Sequence, residues 1–325
     1  MEEICKKEDC YGCYACLNIC PKNAISMEHS LEGFLYPNID NSICINCGLC
    51  KKVCPVIEFK AFSKPIDVYS GWSTNEEVRL NSSSGGAFTE LSRIILDKSG
   101  IVFGCTFDNN TLTAKHIFID DIKDIYKLQG SKYIQSNIGH TYKKVKDFLT
   151  NGIYVLFSGT PCQIAGLKKY LGKNYDNLFT VDLVCHGVPS PLIFKDYIDF
   201  IKKKYNFQKI NDVKFRKKDF SWIYYNMEIN GDSSSGKLKY VGTYYRDPYL
   251  RGFSRDLFLR NSCHTCKFAN FNRVSDVTIA DWWNYKKKCK KDIGFQYKGV
   301  SLLLFNNEKS VSFFKNSLKM DLDRR

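Results

Sequence analysis

The stretch that decides the N-terminal fold is CYGCYACLNICP at residues 10–21, which returns as CINCGLCKKVCP at residues 44–55. Both stretches follow the pattern C-x2-C-x2-C-x3-C-P, and the second lies at a constant offset of 34 residues from the first. A fixed offset between two copies of one motif indicates an internal duplication. The sequence therefore predicts one structural unit made of two similar halves.

The spacing of these cysteines is typical of 4Fe–4S ligands. Three thiolates separated by two residues can bind three irons of one cubane cluster from a single tight turn, whereas the fourth ligand must come from elsewhere. In two-cluster ferredoxins the fourth cysteine of each run binds the other cluster. We therefore predict two clusters. The ligands of the first are Cys10, Cys13, Cys16 and Cys54, and those of the second are Cys44, Cys47, Cys50 and Cys20.

Structural zinc is the alternative for these cysteines, but it prefers two CxxC pairs at longer spacing and needs no third evenly spaced cysteine. Cys5 lies outside the pattern and is interpreted as a bystander. The prolines Pro21 and Pro55 are expected to turn the chain away from the clusters. A short helix-like stretch is predicted at residues 22–25, and a hairpin at residues 33–37 is expected to cover the clusters.

The chain has 325 residues, which suggests two or three compact domains. Its N-terminus lacks the apolar stretch of a secretory signal, and no segment of about 18 apolar residues predicts a membrane span. We therefore expect a cytoplasmic protein. Its 15 cysteines then indicate metal or redox chemistry, since thiols stay reduced in that compartment.

The formal net charge is +14 with every thiol counted as neutral. Each cysteine-ligated 4Fe–4S cluster adds roughly −2, so three clusters would leave roughly +8. This excess can steer acidic ferredoxins or anionic cofactors toward the protein. Nucleic acid is the other partner of a basic protein, but the sequence has no RNP, helix-turn-helix or zinc-finger pattern.

From residue 69 onward, strand-like and helix-like segments alternate, which favours an α/β core. The predicted strands are 101–107, 154–158 and 178–184, and the predicted helices are 142–150, 162–171 and 191–205. Residues 212–245 are β-rich, with a turn at 233–236, and residues 58–68 read as a linker. We thus expect a two-cluster domain at 1–60 and a mixed α/β body whose two parts span 69–150 and 151–325.

Three loops of the body have the composition of ligand-binding loops. Ser84, Gly85 and Gly86 precede an apolar helix, where backbone amides can bind an anion, although an ordinary N-cap turn is the alternative. Gly159 and Thr160 lie between a strand and a helix, where open α/β sheets place ligands. Lys132 can pair with a phosphate, although a lone lysine is more often a solvated charge.

Four further cysteines are plausible ligands for one more metal site. Cys162 and Cys185 each follow a buried strand, and Cys263 and Cys266 form a CxxC pair. Taken alone, the CxxC pair fits zinc, a redox dithiol or half of a cluster site. Cys105 and Cys289 are interpreted as packing or surface residues.

In combination, several short motifs resemble the family of beta subunits of coenzyme F420 hydrogenases and dehydrogenases. The resemblance covers nearly the whole chain. It rests on Gly33-Phe34, Tyr36-Pro37, Ser84-Gly85-Gly86-Ala87, Gly130-Ser131-Lys132-Tyr133, Gly159-Thr160-Pro161-Cys162-Gln163, the residues 183–189, Arg260-x-x-Cys263-x-x-Cys266, Ser275-Asp276 and Asp281-Trp282.

The resemblance implies a flavin, most often FAD, held by the three loops through Ser84, Gly85, Gly86, Lys132, Gly159 and Thr160. It also implies a third 4Fe–4S cluster at Cys162, Cys185, Cys263 and Cys266. The expected function is an electron relay from a ferredoxin or another redox protein, through the clusters and the flavin, to a small-molecule two-electron acceptor. The alternatives are an electron-transfer subunit without its own substrate and a cluster-bearing structural or sensing protein. The sequence identifies no acid–base pair for the substrate step.

Overall fold

The duplicated unit forms the N-terminal part of the molecule. The computed structural model describes residues 3–219, 221–283, 285 and 298–325. Two short helices and one antiparallel hairpin make up the unit: α1 (Ala15–Ile19), β1 (Ile25–His29), β2 (Leu35–Ile39) and α2 (Leu49–Lys52). A 3-10 turn at Lys7–Asp9 precedes them.

The two helices lie inside the cysteine motifs, where each contains the third cysteine of its run and ends before the fourth. The expected helix at residues 22–25 is wrong, because the chain turns at Pro21 and already begins β1 at Ile25. Tyr14 and Gly48, which occupy equivalent places in the repeat, precede α1 and α2 with left-handed φ values of 67° and 73°. The duplication in sequence is therefore also a duplication in backbone conformation.

The predicted hairpin forms, although its strands extend beyond residues 33–37. Gly33 lies in the connection between β1 and β2 with a φ of 82°, and a Cβ there would overlap the side chain of Leu192. The hydroxyl of Ser190 also donates a hydrogen bond to the carbonyl oxygen of Glu32. The hairpin is thus packed against the body of the protein, and only glycine fits its tip.

The body is built on one sheet of nine strands in the spatial order β14-β3-β13-β12-β8-β7-β4-β5-β6. Its strands are β3 (Asp67–Ser73), β4 (Ile101–Asp108), β5 (Thr113–Ile119), β6 (Ser136–Asn137), β7 (Val155–Ser158), β8 (Leu178–Leu183), β12 (Val277–Asp281), β13 (Ser301–Phe305) and β14 (Met320–Arg324). Strands from both parts of the body, 69–150 and 151–325, therefore belong to one sheet, in which β3 of the first part lies between β14 and β13 of the second.

The central strands β4, β7, β8 and β12 run parallel to their neighbours in this group and are rich in buried apolar residues. Such near-continuous apolar runs are typical of strands covered on both faces. The mixed α/β architecture is confirmed, and the three predicted strands coincide with β4, β7 and β8 to within one residue at each end.

Three further strands form a separate antiparallel sheet within the β-rich region. They are β9 (Lys209–Lys217), β10 (Asn226–Ser233) and β11 (Gly236–Thr243). The remaining helices are α3 (Glu76–Asn81), α4 (Ala87–Leu96), α5 (Thr141–Thr150), α6 (Pro161–Leu171), α7 (Pro191–Tyr205), α8 (Pro248–Ser254), α9 (Asn261–His264) and α10 (Glu308–Phe314), with 3-10 turns at Ile122–Lys127 and Lys315–Ser317. None of the helices in the described part of the chain has the length and apolar character that a membrane span requires.

The segment read as a linker is packed on the body. The rings of Phe59 and Phe62 contact each other, and both contact Phe268, with centroid distances of 5.3–6.0 Å. Ser63 and Arg273 exchange two backbone hydrogen bonds of 2.8 Å. The segment therefore holds the N-terminal unit against the body, and it ends where β3 begins at Asp67.

A buried arginine joins the N-terminal unit to the body. Arg260 is fully buried, and its Nε donates a hydrogen bond of 2.6 Å to the carbonyl oxygen of Cys10. Its Nη1 donates to the carbonyl oxygen of Leu35 at 3.1 Å and to Oε1 of Gln135 at 3.0 Å. The guanidinium carbon lies 4.0 Å from the ring centroid of Tyr36. One side chain thus ties both the first cysteine motif and the hairpin to residues of the body.

Helix α6 supplies a second contact between the two parts. Gly166 on this helix lies so close to Cys13 that an added Cβ would come within 3.0 Å of its sulfur. The hydroxyl of Tyr142 lies 2.8 Å from the carbonyl oxygens of both Cys13 and Gln163, so it can donate to either. A single hydrophobic core continues from Tyr14 into these helices. The N-terminal unit is accordingly part of one packed structure.

We expect the substitution Arg260→Met to lower the free energy of unfolding by about 3 kcal/mol, because three charge-assisted hydrogen bonds are lost from a buried position. Chemical denaturation followed by tryptophan fluorescence measures the change. The matched control is Arg251→Met on the exposed face of α8, which should change stability by less than about 0.5 kcal/mol. Equal losses in the two variants would contradict the role given to Arg260.

Candidate electron-transfer and cofactor site

The first group of predicted ligands lies together in the interior of the N-terminal unit. Cys13, Cys16 and Cys54 are each less than one tenth exposed. Burial raises the pKa of Cys13 and of Cys16, and the neighbouring thiols of Cys10 and Cys54 raise it further. The structure thus brings Cys54 from the second motif to three cysteines of the first motif, as the crossed ligand arrangement requires.

The second group lies on the outer side of the same unit. Its four cysteines, Cys20, Cys44, Cys47 and Cys50, line one small cavity with Ile25 and Ile39 at its base. Cys47 is exposed, in contrast to its counterpart Cys13 in the first motif. The two sets of cysteines therefore have the same spacing in sequence but different access to solvent.

Cys5 is closer to the first group than the sequence indicated. Its thiol is within hydrogen-bonding reach of the sulfurs of both Cys10 and Cys54, and these contacts raise the pKa of Cys5. The first group therefore contains five cysteines in the structure, of which a 4Fe–4S cluster needs four. The interpretation of Cys5 as a bystander, which is near the ligands but is not one of them, stays a prediction.

The third group assembles from three separate parts of the body. Cys162 is the second residue of α6, Cys185 follows β8, Cys263 lies in α9, and Cys266 follows that helix. Burial raises the pKa of Cys162, and the thiols of Cys185, Cys263 and Cys266 add to the rise. The hydroxyl of Thr160 lies 3.1 Å from the sulfur of Cys162. The four residues named by the family resemblance thus converge on one place.

The arrangement of the cysteines differs from that of a single-ion site. Within the described residues, no three histidine, cysteine, aspartate or glutamate side chains are placed to hold one metal ion. A 4Fe–4S cluster offers a separate iron to each cysteine, so its ligands stand farther apart than those of one zinc ion. The geometry of the three groups is compatible with clusters. Cys289 lies outside the described residues, and Cys105 is half-buried beside Lys132.

A cavity of about 640 Å³ lies at the carboxyl ends of the parallel strands. This is the position where open α/β sheets bind ligands, and the volume is in the range of cofactor pockets. Five of the six residues expected to bind a flavin line it: Ser84, Gly86, Lys132, Gly159 and Thr160. Gly85 does not, because it packs against the backbone of Gly71 and Ser301. Cys185 of the third group also lines the cavity.

The serine-rich loop at residues 82–86 lines the cavity next to the start of helix α4. Gly86 has a φ of 99° and immediately precedes α4, whose first-turn amides are available to a ligand. The hydroxyl of Ser83 accepts hydrogen bonds from the backbone and the side chain of Ser131, at 2.7 and 2.9 Å. Lys218 stabilises the loop, because its Nζ donates a hydrogen bond of 3.0 Å to the carbonyl oxygen of Ser84.

Two basic side chains of the cavity wall have shifted pKa values. Burial lowers the pKa of Lys132 to about 8, and its Nζ donates to the carbonyl oxygens of Leu128 and Gln129 at 3.0 and 2.7 Å. Burial also lowers the pKa of His116 to about 4, and the positive charge of Lys132 lowers it further. With this lowered pKa the imidazole of His116 is neutral at ordinary pH, and its stacking on Phe157 fixes the position of the ring.

Arg216 and His116 border the cavity but belong to no motif in the sequence. Arg216 of β9 lines the cavity and pairs with Asp281 at the end of β12, although 65 residues separate them. His116 has only the alternation of its strand to mark it as inward-facing. Asp276 of the Ser275-Asp276 motif has a structural role, because its carboxylate accepts hydrogen bonds from the backbone and hydroxyl of Thr180 at 2.7 and 2.6 Å.

Comparison with known families accounts for most of the chain. Residues 154–322 match the C-terminal region, and residues 68–141 the N-terminal region, of the coenzyme F420 hydrogenase/dehydrogenase beta subunit. Residues 9–57 match a 4Fe-4S dicluster domain. The N-terminal unit is therefore a 4Fe–4S domain of the ferredoxin type.

Individual relatives align with most of the chain at low identity. The chain is 21% identical to one subunit of the F420H2 dehydrogenase of Methanosarcina mazei over 298 residues, which cover 87% of this chain and 79% of the relative. It is 23% identical to an uncharacterized protein of Methanocaldococcus jannaschii, with 98% and 89% covered. A chain in the structure of the F420-reducing [NiFe] hydrogenase complex from Methanosarcina barkeri aligns with a TM-score of 0.49 and 17% identity, over 82% of this chain and 84% of that one.

The five cysteines of the first group allow a direct test of the ligand set. We expect Cys5→Ala to keep the iron content of the unmodified protein, whereas Cys54→Ala loses about four irons per chain. Iron assays after anaerobic purification measure the difference, and electron paramagnetic resonance of the reduced protein shows which signal disappears. Loss of iron from Cys5→Ala, with retention in Cys54→Ala, would mean that Cys5 is the fourth ligand of the first group and Cys54 is not.

The buried His116 predicts a loss of stability in mild acid. Its pKa is about 4 in the folded protein, against an ordinary value of 6.5, so only the unfolded chain takes up this proton as the pH falls below 6.5. His116 therefore leaves the free energy of unfolding unchanged above pH 6.5. As the pH falls toward 4, protonation of the unfolded chain lowers this free energy by up to about 3 kcal/mol. Thermal unfolding between pH 7 and 5 should show a smaller acid dependence in His116→Gln than in the unmodified protein. Equal dependence would contradict the assignment.

Proposed function

Because the chain belongs to the family of coenzyme F420 hydrogenase/dehydrogenase beta subunits, we propose that it is an iron–sulfur flavoprotein oxidoreductase. In this proposal, the two clusters of the N-terminal domain and a third cluster at Cys162, Cys185, Cys263 and Cys266 exchange electrons with a flavin in the 640 Å³ cavity. The flavin is FAD, and the final two-electron acceptor is coenzyme F420 or another organic molecule. The electron donor is a ferredoxin or another redox protein.

The observation that carries the proposal is the position of Cys185. This residue belongs to the third group of cysteines and also lines the cavity. A cluster at the third group would therefore be in direct reach of a molecule bound in the cavity. On its other side, Cys263 follows Arg260, whose Nε binds the carbonyl oxygen of Cys10 in the first group. These contacts support a path for electrons between the first group, the third group and the cavity.

The residues of the cavity fit a flavin dinucleotide. The N-terminus of α4 and the charge of Lys132 favour the phosphate groups of such a molecule. Apolar wall residues such as Leu128, Ile134 and Phe253 suit an aromatic ring system. When bound, a flavin accepts electrons singly and transfers them in pairs as a hydride. The residues of the chain supply the binding, the orientation and the exclusion of water around it.

Several residues that contact the cysteines have a positioning role in this proposal. Tyr142 and Arg260 hold the backbone carbonyls of Cys13 and Cys10, so the first group keeps a fixed position relative to the body. Thr160 contacts the sulfur of Cys162 and also borders the cavity. Hydrogen bonds of this kind orient ligands and tune a cluster. The same geometry serves electron flow in either direction.

The second candidate is an electron-transfer subunit without a substrate of its own. The name of the Methanosarcina mazei relative favours it, since that protein is a subunit of a dehydrogenase. Turnover separates the two candidates. The complete enzyme reduces a soluble two-electron acceptor with electrons from reduced ferredoxin, whereas the subunit does so only after its partner is added.

We expect about twelve irons and one flavin per chain after anaerobic purification, together with the absorbance spectrum of both cofactors. The substitution Cys185→Ser should lower the iron content to about eight. The matched control is Cys105→Ser, which removes a thiol from the same cavity without touching the third group. About eight irons and no flavin in the unmodified protein would overturn the proposal for the body.

A further inference from the structure

Arg216, near the end of β9, has one edge of its guanidinium group unused. Its Nη1 donates to Oδ2 of Asp281 at 2.5 Å. The two nitrogens of the opposite edge, Nε and Nη2, are buried and have no hydrogen-bond partner among the residues that the structure describes. We call this pair of nitrogens the open edge of Arg216. The side chain is only 5% exposed and borders the cavity.

The position of this guanidinium is fixed by its surroundings. Asp281 is itself held in place, because its Oδ1 accepts a hydrogen bond of 3.0 Å from Nε1 of Trp222. The guanidinium lies against the rings of Tyr225 and Trp283, at 4.7 and 5.1 Å from their centroids. Two aromatic contacts and one ion pair therefore orient the group before any ligand binds.

A purely structural ion pair would be arranged differently. Arginine and carboxylate commonly pair through two parallel hydrogen bonds, which use Nε and Nη2 or the two Nη atoms together. Here Asp281 takes a single nitrogen and gives its second oxygen to Trp222. Two buried donors without acceptors cost free energy that a matching acceptor would recover. The arrangement is that of a binding site for a planar or tetrahedral anion.

We propose that the open edge of Arg216 binds a phosphate or carboxylate group of the two-electron acceptor, through two parallel hydrogen bonds. This inference rests on the proposed function, and it assigns an anionic substrate class to the same cavity. Two observations favour the acceptor over the cofactor. The loops fitted to the flavin contain Ser84, Lys132 and Gly159, and Arg216 belongs to none of them. Trp283 beside Arg216 is 48% exposed, so solvent reaches this side of the cavity.

The neighbouring tryptophans give the site an intrinsic reporter. Trp283 stacks on Trp222 with a centroid distance of 4.8 Å and an interplanar angle of 13°. Trp283 contacts Arg216, and Trp222 donates to Asp281. An anion that binds at the open edge changes the charge beside these rings, so tryptophan fluorescence follows its binding.

The experiment titrates the purified holoprotein with inorganic phosphate and, separately, with acetate, while tryptophan emission and the thermal midpoint are recorded. We expect a saturable response and a rise of the midpoint. The double substitution Arg216→Gln with Asp281→Asn leaves no unpaired buried charge and keeps an acceptor for Trp222. It should weaken binding about tenfold or more. Arg216→Lys should bind with intermediate affinity, since lysine keeps the charge and loses the fork.

The control is Arg251→Gln, which removes an exposed arginine outside the cavity and should leave the affinity unchanged. Unchanged affinity in the double variant overturns the inference. Loss of flavin from the double variant also overturns it, because the open edge would then bind the cofactor. Absence of flavin from the unmodified protein refutes the proposed function, while an Arg216-dependent response to phosphate still supports the anion site.

Discussion

The contact between Arg260 and the backbone of Cys10 is the constraint on which the rest of the arrangement depends. A fully buried guanidinium needs acceptors, and here they come from the N-terminal domain and from the body together. The same residue directly precedes the helix that carries Cys263. The place of the first cysteine group relative to the third is therefore set by a few covalent bonds and one set of hydrogen bonds. Tyr142 and Gly166 reinforce this relation from α5 and α6.

The features that can be predicted from the sequence are those determined by residues close together in the chain. The 34-residue offset of the two cysteine motifs predicts the N-terminal domain, because ligand spacing within one turn is a local property. The helix at Pro191–Tyr205 has its proline at the first position and a hydrogen-bonded serine cap, and it agrees with the prediction at both ends. The four cysteines of the third group are predicted as one metal site from their positions in the sequence and from the family resemblance, and the fold brings them together.

The parts that do not follow from sequence depend on contacts between distant segments. The linker at residues 58–68 has no periodicity, yet Phe59 and Phe62 pack on Phe268. Arg216 and Asp281 meet only because β9 and β12 end near the same cavity. Asp281 belongs to the Asp281-Trp282 motif, but Arg216 has no distinguishing neighbour in sequence. The helix predicted after Pro21 is wrong for a different reason: the turn that presents the cysteines contains the helix itself, at Ala15–Ile19. Cys5 looks isolated in sequence because the fold alone brings it to Cys54.

The duplicated halves of the N-terminal domain show how two copies of a repeat differ when they pack differently against a body. Tyr14 is buried and accepts a left-handed backbone conformation that costs an ordinary residue about 1 kcal/mol. Its counterpart Gly48 adopts the same conformation without this cost and has open space around it. Solvent exposure is one of the factors that set the reduction potential of a cluster. Two sets of cysteines with the same spacing thereby differ in their access to solvent, so the repeat acquires a buried half and an exposed half that its sequence symmetry does not contain.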